Sequence, residues 1–381
     1  MKIAFFSDVH IANHKTLNDI PFFKDAGVSG INVRCAVACG VLERALKAAD
    51  DARCSEVFIE GDLFDGARPE PPVLAHVMRI LESYKNLTIN ILLGNHEQVV
   101  LDTGNHALGP LAFVKNVRIV TTCSSTRMAG CDVWHIPFRS AASFEASLAG
   151  LFTSGAAKEK SFRILGCHLG IWDSATPAWG QAGTDSISIE RLLTLCKEYQ
   201  IDAVMAGHWH RHVEWQPFNG IHIVQLGCLC PTDWRDAFDD AVGKVTIVEG
   251  IKNKQLKTET IEIAGPRFIS CEKPDASELK RFRGLSEEGN FVFARMRSTD
   301  EVGMQTASEW LGKQKEEKAI LGYEVLPDDQ TNKIQARTAA TLARCETGLA
   351  ESLAAFVKNM PIEEGVNRDK VLALSKKYLR L

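Results

Sequence analysis

The chain has 381 residues, of which 45% are hydrophobic and 24% charged, with a formal net charge of -4. That is an ordinary globular composition, with length for one large domain and one or two smaller ones. It excludes a transmembrane helix, because no apolar run reaches the roughly 18 residues such a span needs, and it excludes nucleic-acid binding through a global positive field, leaving only local basic patches or metal ions for that purpose.

"KIAFFS" reads as a strand ending at Asp8, with His10 just beyond it. The helical apolar spacing of "VRCAVACGVLERALKAADDA" predicts a helix over 33–52. "SEVFIE" (55–60) is a strand that ends at Gly61-Asp62. "PPVLAHVMRILESY" (71–84) opens with prolines suited to a first helical turn. "LTINILL" (87–93) is a strand running into Gly94-Asn95-His96-Glu97. "CDVWHIPF" and "SFRILGCHLG" are two more strands, the second ending at His168. "SIERLLTLCKEY" (188–199) is a helix with Ser188 placed as its cap. "DAVMAGHWHRH" (202–212) is a short buried strand, a sharp turn at Gly207, and then His208 and His210. On extended backbone that spacing points both imidazoles the same way. "HVEWQPFNGIHIVQLG" (212–227) is a hairpin around Asn219-Gly220, and "GKVTIVEG" and "LKTETIEI" add strands. Such alternation predicts an α/β sandwich of mixed sheets with helices outside.

The eleven cysteines are odd in number and lack a C-x-x-C pair, and Cys35, Cys39, Cys167 and Cys196 fall in apolar contexts. Reduced, buried thiols are expected rather than a disulfide framework. "MKIAFFSDVH" is too short before its first acid for a signal h-region, so a cytoplasmic protein, bacterial or phage-encoded, is expected.

Polar ligand-type residues recur where strands end: Asp8 and His10, Asp62, Asn95 and His96, His168, His208 and His210. The carboxyl ends of strands are where α/β sheets build sites. An isolated aspartate there is usually a cap or turn former, but five such ends sharing carboxylate, amide and imidazole exceed what caps explain. The set is all N and O, which suits Mn, Fe or Zn in an open catalytic site rather than a closed structural zinc.

In order, "SDVH", "GDLFD", "GNHE", the lone histidine of "GCHLG", and "GHWH" resemble the five motifs of the calcineurin-like metallophosphoesterases, over residues 1–250. The resemblance implies an α/β phosphoesterase sandwich of two mixed β-sheets flanked by helices. It implies two divalent metal ions, Mn²⁺ first and Fe or Zn as alternatives. Asp8, His10, Asp62 and His210 would hold one, and Asp62, Asn95, His168 and His208 the other, with Asp62 bridging. A metal pair of this kind clamps the attacking and leaving oxygens of an in-line displacement, and metal-bound hydroxide would be the nucleophile. His96 resembles the family's catalytic histidine, assisting the leaving oxygen, and Asp65 would orient it.

"GDLFDGARPEPPVLAHVMRIL" is similar to the SbcD-type nuclease subunit, a relative of the meiotic-recombination nuclease. The tail agrees in pattern: 287–327 reads strand–helix–strand, like that family's small DNA-facing cap, 335–360 is a long helical pattern, and 367–381 a final amphipathic helix. The expected domains are therefore a metallophosphoesterase over 1–265, a small α+β cap over 266–332, and C-terminal helices over 333–381. The resemblance implies DNA as substrate, exo- or endonuclease action in double-strand end processing, an SMC-like coiled-coil ATPase of SbcC type docked on the C-terminal helices, and a homodimer with no membrane. The alternative is a stand-alone metallophosphoesterase of small phosphoesters or cyclic nucleotides. A non-enzymatic scaffold is disfavoured, since no ligand position is lost.

The first motif departs from its relatives by about twenty irregular residues after the histidine, where His14 and Phe22-Phe23 could meet substrate. The 170–186 loop carries Trp172 and Trp179, which could stack on a base. His76, His106, His135 and His222 read as structural, and His212 as a residue just beyond the metal pair.

Overall fold

The structure is a computed structural model that describes residues 2–14, 30–99, 105–128, 130–153, 161–173, 185–236, 241–252 and 255–327. It divides into two compact units, Met1–Arg295 with Trp310–Tyr323, and Met296–Glu309 with Glu324–Leu381. The helices expected over 335–360 and 367–381, and Phe22, Phe23 and Trp179, lie outside the described residues.

In chain order the elements are β1 (Lys2–Phe6), α1 (Val33–Asp51), β2 (Glu56–Ile59), α2 (Pro71–Ser83), β3 (Thr88–Leu92), β4 (Val117–Val120), β5 (Ser124–Met128), β6 (Cys131–Ile136), α3 (Ala141–Thr153) and β7 (Phe162–His168). There follow β8 (Gly170–Trp172), β9 (Ser186–Ser188), α4 (Ile189–Glu198), β10 (Ala203–Gly207), β11 (Val213–Phe218), β12 (Ile221–Gln225), β13 (Gly243–Lys252) and β14 (Gln255–Ile263). The chain continues through β15 (Pro266–Cys271), α5 (Ala276–Glu287), β16 (Phe291–Ser298), α6 (Glu301–Glu316) and β17 (Gly322–Pro327).

One six-stranded sheet has the order β14-β13-β1-β2-β3-β4 and the other β11-β12-β10-β7-β6-β5. Both are mixed: β1 to β4 run parallel with β13 antiparallel to β1, and β6, β7, β10 and β12 run parallel with antiparallel edges. This is the expected α/β phosphoesterase sandwich. The period-2 alternation of β1 explains it. Ile3 and Phe5 point between the sheets, where they meet Phe58, Val133, Ile164, Met205 and Val224. Ala4 and Phe6 point outward under α1 and α2, with Val41, Leu42, Val57 and Ile59. On the far side Trp134, Leu165 and Val204 lie under α3 and α4 with Phe144 and Leu192. Strands covered on both faces read as unbroken apolar runs.

Caps set the helix ends. The Asn32 side chain accepts from Cys35 N at 2.9 Å to open α1, and Ser188 Oγ accepts from Arg191 N at 3.2 Å to open α4. The hairpin of β11 and β12 turns on Asn219 and Gly220, with φ of 51° and 82°, the left-handed pair of a type I′ turn. In the second unit Asp300 Oδ1 accepts from Gly303 N at 2.6 Å at the start of α6. The described cysteines are free thiols, most of them buried. Among the described residues no helix is long and apolar enough to cross a membrane.

Candidate metal centre

The neighbouring parallel strands β1, β2 and β3 run out two or three residues before Asp8, Asp62 and Asn95, β7 ends at His168, and β10 ends at Gly207 just before His208. Parallel direction puts all five ends on one edge of the sandwich. The turns there are forced. Asp8, His10, Asp62 and His208 have φ of 54°, 51°, 51° and 88°, a left-handed region that costs non-glycine residues about 1–3 kcal/mol each. Main-chain bonds hold the strained turns: Asp8 N donates to Gly61 O at 3.1 Å, Val9 N to Asp62 O at 2.9 Å, and Leu229 N to Ser7 O at 2.9 Å. Two motif glycines make the space. A Cβ at Gly61 would run into the His168 ring, and one at Gly94 into the Asp62 carboxylate.

Asp8, His10 and His210 converge first. His10 Nε2 lies 3.6 Å from Asp8 Oδ1 and 3.9 Å from Asp62 Oδ2, and His210 Nε2 lies 3.9 Å from Asp8 Oδ1. The outer nitrogens are tied back: His10 Nδ1 donates to Asp65 Oδ1 at 2.9 Å and His210 Nδ1 to Asp236 Oδ1 at 2.6 Å. With Nδ1 donating outward, a neutral ring at either position carries its lone pair on the inner Nε2. Those two atoms face each other at 3.0 Å.

Asp62, Asn95, His168 and His208 form the adjoining group. His168 Nε2 is 3.2 Å from Asp62 Oδ2, and both His168 Nε2 and His208 Nδ1 are 3.0 Å from Asn95 Oδ1. His168 Nδ1 donates to Glu60 O at 2.7 Å, and His208 Nε2 lies 3.3 Å from Asp185 Oδ2. His208 N donates to Asp8 Oδ2 at 3.0 Å, which joins the two groups.

His96 stands beside them with its side chain 40% exposed, more open than His210 at 22% or His208 at 13%. Its main-chain N donates to Asp62 Oδ1 at 3.0 Å, and its Nδ1 lies 3.3 Å from Asp65 Oδ1. Asp65 therefore touches both His96 and His10, a double contact that spacing alone does not reveal.

Charge at this edge is tuned for cations. Burial opposes ionisation of Asp62, but His168 and then His10 and His96 hold its carboxyl well below the usual range. Asp65 is held low in the same way by His10 and His96, against burial. Burial pulls His168 down, yet the Asp62 carboxylate beside it reverses this and raises it to about 9. His96 is raised, chiefly by its bond to Asp65.

The donor set fits a pair of divalent ions. Asp8 Oδ1 is buried without a hydrogen-bond partner. Two imidazole lone pairs and two carboxylates converge around it, an arrangement that repels itself unless positive charge stands between. The atoms of Asp8, His10 and His210, and those of Asp62, His168 and His208, lie within 4.8 Å of one another in each group. Asn95 adds an amide oxygen to the second group.

Other expected residues fall out as follows. His14 reaches the edge of the site, its Nε2 3.0 Å from His10 O. Trp172 lies on β8 and is partly exposed. His212 Nδ1 is 3.0 Å from Leu226 O and His135 Nε2 is 3.0 Å from Thr126 Oγ1, contacts of the sheet. Four residues were missed. Asp185 and Asp236 back two histidines, and no motif marks them. Buried Gln225 accepts from Ile171 N at 3.0 Å and donates to Gly207 O at 2.7 Å, fastening the turns after β7 and β10. Glu97 accepts from Phe64 N at 2.9 Å and Gly94 N at 3.0 Å, tying the second motif to the third, and burial then the Asp62 charge push it up to about 7. Its place in "GNHE" was the available signal.

No curated protein matches the sequence. Among solved structures, a dimetal phosphatase from Danio rerio is similar at 13% identity and a TM-score of 0.42, over 69% of this chain and 98% of its own. A putative 5'-nucleotidase from Staphylococcus aureus, in complex with alpha-ketoglutarate, is similar at 14% identity and a TM-score of 0.41, over 75% of this chain and 58% of its own. A purple acid phosphatase from yellow lupin seeds is similar at 14% identity and a TM-score of 0.40, over 69% of this chain and 53% of its own. The profile of the calcineurin-like phosphoesterases matches residues 1–212, more than half of the chain and the stretch that carries every candidate ligand, so the chain belongs to that family.

Proposed function

We propose that this protein is a two-metal phosphodiesterase acting on DNA, the nuclease subunit of an SbcCD-like end-processing complex. Asp8, His10, Asp62 and His210 would hold one ion, and Asp62, Asn95, His168 and His208 the other. When bound, such a pair supplies Lewis-acid charge on the phosphate and an activated water near neutral pH. Mn²⁺ is the first choice for this N/O donor set. The observation that carries the reading is the placement of His96 beside this centre, partly exposed and anchored twice, through its main-chain N to Asp62 and its Nδ1 to Asp65.

The chain's own residues do the rest. Asp65 accepts the Nδ1 proton of His96, which leaves Nε2 turned inward, 4.0 Å from Asp62 Oδ2. From there Nε2 can hold a proton and pass it to a leaving oxygen, general-acid help worth roughly 10²–10⁴-fold. The buried strand-end turns keep the ligands from relaxing when substrate arrives.

DNA as substrate is supported by the run "GDLFDGARPEPP" and by the order β15-α5-β16-α6-β17 after the phosphoesterase sheets, which follows the pattern expected of a cap. A partner ATPase of the SMC-like coiled-coil type and a homodimer belong to the same proposal. Their support is the amphipathic pattern of 367–381 and the net charge of -4, which leaves the grip on DNA to a partner. The test is cleavage of linear duplex DNA, a small phosphodiester and a small phosphomonoester with Mn²⁺ and with chelator. Mn²⁺-dependent cleavage of the two diesters is expected. Hydrolysis confined to phosphomonoesters or cyclic nucleotides, with DNA intact even beside a coiled-coil ATPase, overturns the nuclease reading in favour of a stand-alone phosphoesterase.

A further inference from the structure

Asp236 lies on a single 3-10 turn, Trp234–Asp236, far from any motif in the sequence. Its side chain is 4% exposed. Oδ1 accepts from His210 Nδ1 at 2.6 Å, and Oδ2 accepts from Thr232 N at 2.7 Å and Thr232 Oγ1 at 2.8 Å. The turn is itself fastened. The Trp234 ring packs edge-on against Phe268 at 5.2 Å, and the Arg295 guanidinium lies over it at 4.1 Å. The main chain of His210 is pinned as well, its carbonyl accepting from Cys228 N at 2.9 Å.

We propose that Asp236 is a positioning residue of the metal centre: it holds His210 in the Nδ1–H tautomer and so keeps Nε2 bare for a metal ion. The inference rests on the reading of His210 as a ligand.

The chemistry turns on which atoms can only donate. Thr232 N–H is a main-chain donor and needs an acceptor where Oδ2 now sits. An aspartate meets this and still offers Oδ1 to His210, because a carboxylate accepts on both sides. An asparagine has one accepting atom. With its oxygen toward Thr232, its NH₂ faces His210 Nδ1, which must then accept. The imidazole proton moves to Nε2, the atom that faces Asp8 and His10. A near-isosteric change would thus block the ligand atom, whereas an alanine would only leave the ring unsupported. Partners behind metal-bound histidines typically change affinity by about 10–100-fold.

The full-length protein is titrated with Mn²⁺ by calorimetry at one pH. His210 is then read by long-range proton–nitrogen NMR in the Zn²⁺-loaded, diamagnetic wild type. Two Mn²⁺ are expected for the wild type, with a slowly exchanging Nδ1–H on His210. Asp236→Asn should weaken one of the two binding events by about 10–100-fold and leave the other unchanged. Asp236→Ala should lose less affinity than Asp236→Asn while melting at a lower temperature, because it strands Thr232 N. That inverted order separates positioning from packing. Asparagine and wild-type proteins binding both ions equally tightly would overturn the role of Asp236 and leave the metal centre standing. A wild type that binds no Mn²⁺ overturns both. Should the asparagine variant not fold, the wild-type spectrum decides alone: metal bound through Nδ1 of His210, or no Nδ1–H, refutes the proposal.

Discussion

The two halves of the candidate metal centre are fastened by different means. Around Asp8, both histidines lean on side-chain carboxylates, His10 on Asp65 at 2.9 Å and His210 on Asp236 at 2.6 Å. Across Asp62, His168 leans on the main-chain carbonyl of Glu60 at 2.7 Å, and His208 on Asp185, whose side chain is 44% exposed. A carboxylate brings a full negative charge to the ring it holds, while a carbonyl brings only a partial one. The first half is therefore open to tuning by mutation of single side chains. In the second, the hold on His168 is backbone, which a point mutation does not remove.

The largest effect should come from the atom set both halves share. Asp62→Asn, changing a buried carboxylate near His10, His96 and His168, should bring turnover to background and leave fewer than two metal ions by elemental analysis. Two ions with near-normal turnover would break the bridging assignment and with it the division into halves.

His96 belongs to neither half, and its variant should show that. His96→Ala is expected to keep both metals and lose about 10²–10⁴-fold in rate. Loss of an ion would make His96 a ligand and redraw the first half around it.

A control away from the centre sharpens the contrast between charged and apolar surroundings. His135 lies between the sheets, stacked on Phe58 at 5.4 Å, and burial lowers it from its ordinary 6.5 to about 4. Above pH 6.5 it is neutral whether the chain is folded or not. As pH falls from 6.5 to 4 the unfolded chain takes up a proton that the folded one refuses, so stability is lost, by about 3 kcal/mol at most. Denaturant titrations of wild type and His135→Asn should therefore differ in slope against pH within that window only. Parallel curves would mean that His135 already finds a proton acceptor in the fold.

The smallest effect is expected at Asp185. Asp185→Asn should weaken Mn²⁺ binding by less than about tenfold, the low end for such partners, because solvent screens an exposed carboxylate. A loss as large as that of Asp236→Asn would erase the difference between the halves.

Much of this was legible along the chain. The apolar runs "KIAFFS" and "AVMA", covered on both faces, announce the inner strands, and Asn219-Gly220 announces its hairpin by residue type alone. The weaker elements escaped: β4 and β5 are short, half-exposed strands near the edge, and α3 is an alanine- and serine-rich helix whose Phe144 and Leu148 carry the packing. Their patterns are too thin to stand out before a neighbouring sheet supplies the other half of the contact.

The candidate site residues divide along the same line. Asp8, His10, Asp62, Asn95, His96, His168, His208 and His210 are visible in sequence because each lies at or just past a strand end, and all but Asp8 and His10 stand within one to three residues of a motif glycine. Such local geometry is a property of a few consecutive residues, so the chain itself determines it. Asp236, Asp185 and Gln225 reach their partners only across the fold, 26, 23 and 18 residues away from His210, His208 and Gly207. The double grip of Asp65 on His10 and His96 likewise appears only when β1, β2 and β3 lie side by side. Which nitrogen of each histidine faces inward depends on those distant acceptors, and only the tertiary structure, by bringing donor and acceptor within 3 Å or so across unrelated segments, decides it.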